Sequence, residues 1–180
     1  MDTRPPPVAD RGMSELLVRR VRPEEALTFR ELRLRALADA PYAFASSLAA
    51  EQDKPDELWR SEVRRYASGG DSAVFLVESA EVGPFGLTGC FLRDRRPEIA
   101  HVVSVWVDPA MRRRGAARLL MEAAEAWARQ VGARTIELWV ARDNLAARAL
   151  YEDLGFTETG QAQPLPSQPS RLESLLQRPL

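Results

Sequence analysis

Val105-Trp106-Val107-Asp108-Pro109-Ala110-Met111-Arg112-Arg113-Arg114-Gly115-Ala116-Ala117-Arg118 joins an apolar strand-like run to the start of a helical one, and this junction decides the fold. The strand stops at Asp108-Pro109, and a turn rich in arginine and small residues opens the helix. Backbone amides in such a turn converge on one spot, where the unsatisfied N–H groups and the positive dipole end of the helix join them. Together they make an anion site suited to a pyrophosphate. Gly115 and Ala117 fit that use, because larger side chains would hold a phosphate off the backbone. A nucleotide-triphosphate loop would need a lysine and a hydroxyl residue at the helix start, and a dinucleotide fingerprint would need three spaced glycines. The stretch has neither. Taken alone, Arg112-Arg113-Arg114 also reads as a solvated basic turn.

Upstream, residues 16–21 read as a strand that Pro23 ends. Pro23-Glu24-Glu25 suits a helix start, and that helix runs to about Ala40. After a loop, Pro55-Asp56-Glu57 opens a second helix whose Trp59, Val63 and Tyr66 share one face before Gly69-Gly70 ends it. Residues 73–78 and 85–92 form a hairpin pattern, and residues 99–107 make a further strand. The helix of residues 112–131 carries Leu120, Ala124, Trp127 and Val131 on one stripe and stops at Gly132. Downstream come a strand at 135–140, a short helix at 144–154 and a strand after Gly155-Phe156. Residues 161–170 hold Pro164, Pro166 and Pro169 and read as a loop, before a last strand at 172–177. A meander feeding a strand–helix–strand unit implies a mixed sheet with helices on both faces.

Arg112-x-x-Gly115-x-Ala117 after a strand and a short turn resembles the phosphate-binding motif of the GNAT superfamily of N-acetyltransferases. A second block agrees in order and spacing: Asn144, Tyr151 seven residues on, then Leu154-Gly155-Phe156. At about 100° per residue, Tyr151 returns to the helix face that carries Asn144. The resemblance covers roughly residues 16–160. It implies an α/β (α+β) fold with a mixed, mostly antiparallel sheet of about seven strands flanked by about four helices.

The same resemblance implies acetyl-CoA as cosubstrate, an amine acceptor that attacks directly, and no metal. The pantetheine arm would pair with backbone at Val105, Trp106 and Val107. The pyrophosphate would lie on the turn of Arg112, Arg113, Arg114, Gly115, Ala116, Ala117 and Arg118. Asn144 would touch the pantetheine arm, and Tyr151 would protonate the departing thiolate. A phenol with a reference pKa of about 10 is protonated at neutral pH and can donate. For the base, one branch of the family carries a glutamate four residues before the pantetheine-binding tripeptide, where this chain has His101. Another carries it five residues before the asparagine, where this chain has Trp139, which cannot serve. Glu137 shares the face of Trp139 in a regular strand and stands in reserve. Each residue also has a plainer job. Asn144 can cap a helix, Tyr151 can pack in the core, and His101 can sit half-buried on its strand.

The 180-residue length fits one domain, residues 14–180, behind a disordered leader at residues 1–13 without the apolar stretch of a signal peptide. No apolar run approaches the roughly 20 residues of a membrane helix, and a cytoplasmic location is expected. A single cysteine, Cys90, rules out an internal disulfide, and a single histidine rules out multi-imidazole zinc sites. A net charge of −1 offers no field for nucleic acid. The segments that the resemblance implies for the acceptor pocket, residues 39–54 and 161–171, hold no acidic cluster that a polycation would demand. A non-catalytic acyl-CoA-binding module on the same scaffold is the alternative. Monomer and homodimer are both open.

Overall fold

In the computed structural model, which describes residues 15–93 and 96–180, seven strands form one sheet. The expected leader at residues 1–13 lies outside the described residues. The strands are β1 (Leu17–Arg20), β2 (Ser72–Ser79), β3 (Gly83–Arg93), β4 (Arg96–Val107), β5 (Thr135–Ala141), β6 (Thr157–Leu165) and β7 (Gln168–Pro179). Their spatial order is β1-β2-β3-β4-β5-β7-β6, and every adjacent pair is antiparallel except β4 with β5. Parallel neighbours need a crossover, and a helix between β4 and β5 supplies it. The sheet is therefore mixed and mostly antiparallel, as the sequence led us to expect.

Among the described residues five α-helices flank it: α1 (Ala26–Asp39), α2 (Leu48–Gln52), α3 (Asp56–Ser68), α4 (Ala116–Gln130) and α5 (Leu145–Asp153). On one face, Met121, Ala124 and Trp127 of α4 and Tyr151 of α5 pack against Ala100, Val102, Ile136, Leu138 and Val140. On the other, Phe29 and Leu32 of α1 and Trp59 and Val63 of α3 cover Val74, Leu76, Leu87 and Trp106. Helices on both faces explain why the central strands are apolar on both sides and show no clean alternation.

The structure corrects three boundaries. The expected loop after α1 contains α2, capped by Ser47, whose hydroxyl accepts the Ala50 N–H at 3.3 Å. Helix α4 begins at Ala116 and not at Arg112, because Arg113 (φ 65°) and Gly115 (φ 81°) are left-handed and break any helical run. The proline-rich stretch expected as a loop is instead the end of β6 and the start of β7, joined through Pro166 and Ser167. Pro164 is tolerated because β6 is an edge strand, where a missing N–H breaks no inner ladder. Pro169 lies beyond the part of β7 that β5 pairs with, which starts at Glu173.

Gly86 of β3 shows how tightly this scaffold closes beneath β4. A Cβ there would stand 2.8 Å from the Trp106 carbonyl oxygen and 2.8 Å from Val77 Cγ1. Gly86→Ala is expected to lower the unfolding free energy by about 1–3 kcal/mol, the usual scale for overpacking. Urea denaturation monitored by tryptophan fluorescence measures it, and an unchanged midpoint would contradict this packing.

Candidate active site

β4 holds β5 over only part of its length. The pairing runs from Ile99 opposite Thr135 to Val102 opposite Leu138, and stops. From Val103 onward β4 keeps its bonds to β3 alone, while Trp139, Val140 and Ala141 pair only with β7. A bulge explains the parting. The β3–β4 register shifts between Leu87 opposite Trp106 and Gly89 opposite Val103, so β4 carries an extra residue there. Ser104, within the bulge, has φ 60° without being glycine, a backbone state that costs about 1–2 kcal/mol. Its hydroxyl accepts Arg33 Nη1 at 2.8 Å, and Thr88 Oγ1 donates to the Val103 carbonyl at 3.3 Å. The result is a slot between the strands, lined by Val103, Val105, Val140, Asn144, Ala147 and Tyr151.

At the end of β4 the arginine-rich turn opens onto solvent. None of the backbone N–H groups from Arg113 to Arg118 has a partner among the described residues. Open space lies above Gly115, where an added Cβ would meet nothing within 4 Å. Gly115 is needed there for its positive φ. Ala116 is buried with Leu120 and Val107, so only its amide faces the turn. Arg112 does a different job from its neighbours. Its Nε donates to the Val107 carbonyl at 2.9 Å, and its Nη2 donates to Asp39, which also accepts Trp106 Nε1 at 2.9 Å. Arg112 thereby ties the turn to the C-terminal end of α1. Trp106 and Val107 bury their side chains in the cores, while Val105 lines the slot. Arg118 pairs with Asp153 at the C-terminal end of α5.

Tyr151 and Asn144 meet at the slot, as their spacing predicts. Asn144 caps α5, its Oδ1 accepting the Ala147 N–H at 3.3 Å, so the capping role holds. Tyr151 is buried against Phe156, with ring centroids 5.9 Å apart. That burial pushes its phenol well above the usual range, which keeps the proton on the oxygen.

A cavity of about 460 Å³ lies against the slot, sharing Val102, Val103, Ser104 and Trp139 with it. His101 lines it, 6% exposed, with Nδ1 3.2 Å from Glu137 Oε1. Burial and the nearby Arg93 guanidinium, which pairs with Glu137 at 3.0 Å, press the imidazole below its ordinary pKa, although Glu137 pulls the other way. His101 is therefore neutral near pH 7. Three other residues of the cavity escaped the sequence reading: Arg33, Ser104 and Glu173. Glu173 sits opposite Ala141 on one side and Gln163 on the other, and accepts Gln163 Nε2 at 2.8 Å. Burial raises its pKa. Glu173 lies inside the strand expected at residues 172–177, on the same face as Leu175, and a charged residue sharing the face of an apolar one is the signal available. Across the cavity the β6–β7 turn reaches the loop after α1: Ser167 Oγ donates to the Phe44 carbonyl at 2.5 Å, and Arg171 lies 4.5 Å above the Tyr42 ring.

Comparison with known proteins agrees with this geometry. The sequence profile described as "Acetyltransferase (GNAT) family" matches residues 32–156. An uncharacterized N-acetyltransferase of Methanocaldococcus jannaschii is 33% identical over 92 residues, 49% of this chain and 41% of that protein. N-acetyltransferase 8 of Homo sapiens is 32% identical over 104 residues, 55% of this chain and 44% of its own length. The chain thus spans less than half the length of these curated relatives. An acetyltransferase structure from Streptococcus pneumoniae superposes with a TM-score of 0.77 at 23% identity, covering 92% of this chain and 99% of that one. A Thermoplasma acidophilum N-acetyltransferase, solved with coenzyme A, gives 0.74 at 15% identity over 92% and 99%.

The bulge makes a direct prediction. Ser104→Val forces a β-branched residue into the left-handed region and is expected to lose about 1–3 kcal/mol of stability. Ser104→Gly loses the same Arg33 bond but relieves the backbone strain, and is expected to lose less stability than Ser104→Val by about 1–2 kcal/mol. Thermal unfolding of the two variants decides it, and equal losses would place the strain elsewhere.

Proposed function

This chain belongs to the acetyltransferase (GNAT) family, and we propose that it transfers the acetyl group of acetyl-CoA to a primary amine of a small molecule or peptide by direct attack. One coincidence carries the reading: a row of free amides at the mouth of α4 adjoins a slot where β4 and β5 leave their backbones unpaired. Free backbone N–H and C=O groups so placed are ready to bond a ligand. A diphosphate on the amides of Arg113 to Arg118 and an amide-bearing chain beside Val105 would satisfy both. Arg113, Arg114 and Arg118 add positive charge around the turn.

The chain's own residues then have distinct tasks. Acetyl-CoA, when bound, supplies an acyl carbon activated as a thioester. Tyr151, kept protonated by burial, gives its proton to the departing sulfur. His101, neutral and facing the acceptor cavity, takes a proton from the incoming ammonium, directly or through water. Glu137 holds His101 by Nδ1, which leaves Nε2 for that exchange. The narrow slot and the broader cavity meet at Val103 and Ser104, so the two reactants would meet at the bulge.

Purified protein is expected to consume acetyl-CoA with at least one amine of a broad panel, followed by thiol release. Tyr151→Phe is expected to lower kcat by about 10²–10⁴-fold while acetyl-CoA affinity by calorimetry stays within about twofold; equal turnover would remove the phenol from the chemistry. The acid limb of kcat/KM should fall below pH 6.5, the ordinary imidazole value. Since Glu137 favours the protonated ring, Glu137→Gln should move that limb lower still. A limb that moved upward would contradict His101 as the base.

A further inference from the structure

The acceptor cavity has an uneven distribution of charge. Among its described lining residues Glu173 is the only carboxylate, and it is 6% exposed. Its partner is the neutral amide of Gln163, not a cation. Carboxylates close by are already committed. Glu137 is held by Arg93 and His101. Glu51 is held by Lys54 at 2.7 Å and by Arg33 at 3.6 Å. Arg33, the one guanidinium in the lining, spends its donors on Ser104 Oγ at 2.8 Å and Ser46 Oγ at 2.6 Å, with its plane over the Phe44 ring. Its charge is balanced by Glu51. Among the described residues, Glu173 is the single charge of this cavity left without an opposite one.

Its position suits a substrate contact. The β5–β7 register puts Trp139 opposite Leu175 and Ala141 opposite Glu173. Glu173 therefore projects from the same sheet face as Trp139, which borders both cavity and slot. Phe44 and Pro166 complete an apolar wall. Resting on the acetyl-transfer reading given above, we infer that Glu173 anchors the ammonium of the acceptor, and that the acceptor class is a primary monoamine with an apolar flank. One unbalanced carboxylate matches one ammonium. A polycation would find no second free carboxylate among the described lining residues and would meet Arg33. Burial without a cation raises the Glu173 pKa, and a bound ammonium would oppose that shift by stabilising the carboxylate. Glu173 acts here as a specificity residue; the proton goes to His101.

The test compares wild type and Glu173→Gln for acetyl transfer to 2-phenylethylamine, hexylamine and spermidine, with acetyl-CoA affinity and melting temperature measured alongside. In the wild type, kcat/KM for 2-phenylethylamine should exceed that for spermidine at least tenfold. In Glu173→Gln, the KM for 2-phenylethylamine should rise at least tenfold and kcat change less than threefold. Acetyl-CoA affinity should stay within twofold, and melting should occur no lower than in wild type. An unchanged KM, or a preference for spermidine, overturns the assignment and leaves the acetyl-transfer reading standing. Wild type that binds acetyl-CoA but acetylates none of the three amines overturns the acceptor class alone. Wild type that does not bind acetyl-CoA overturns both. If Glu173→Gln melts lower, the wild-type ranking of the amines decides the matter.

Discussion

The decisive constraint is that β4 changes allegiance halfway along its length. Up to Val102 it is an ordinary inner strand between β3 and β5. Past the bulge at Ser104 one edge loses its partner, and Val103, Ser104 and Val105 stay partly open to solvent. An unpaired strand edge offers free N–H and C=O groups to whatever lies beside it. The fold tolerates it by holding the bulge from outside: Arg33 grips Ser104, Thr88 grips Val103, and Asp39 gathers Trp106 and Arg112 at the strand end. What looks like a defect in the ladder is thus fixed in place by three side-chain attachments.

Those attachments explain how the two halves of the site cooperate. Helix α1 supplies both Arg33 and Asp39, about one and two-thirds turns apart. One residue positions the bulge and the other ties down the phosphate turn. Moving α1 would disturb both at once. The packing of Phe29 against Trp59 and Tyr66, at 5.7 and 5.8 Å between ring centroids, fixes that helix on α3. The site's geometry is therefore set by the core beneath it and not by loops alone.

Much of this was legible in the sequence because it follows from periodicity and local backbone demand. The stripe of Leu120, Ala124 and Trp127, the glycine needed at Gly115, and the return of Tyr151 to the face of Asn144 are all short-range facts. The missing parts are long-range. Nothing local says that Arg33 will meet Ser104, 71 positions away, or that a serine will accept a positive φ. The prolines of the last hairpin misled for a related reason. Proline forbids an inner strand but not an edge, and which strand lies at the edge is a property of topology. Glu173 falls within the expected strand at residues 172–177, but its enclosure depends on β5 and β6 lying on either side of it, which is again a property of topology.

The clasp between the β6–β7 turn and the loop after α1 has a thermodynamic consequence. The Ser167 bond to Phe44 and the stacking of Arg171 on Tyr42 contribute together about 1.5–2 kcal/mol. A guest too large for the cavity would have to break these contacts and would bind about ten- to thirtyfold more weakly for it. A weak latch can in this way act as a size filter.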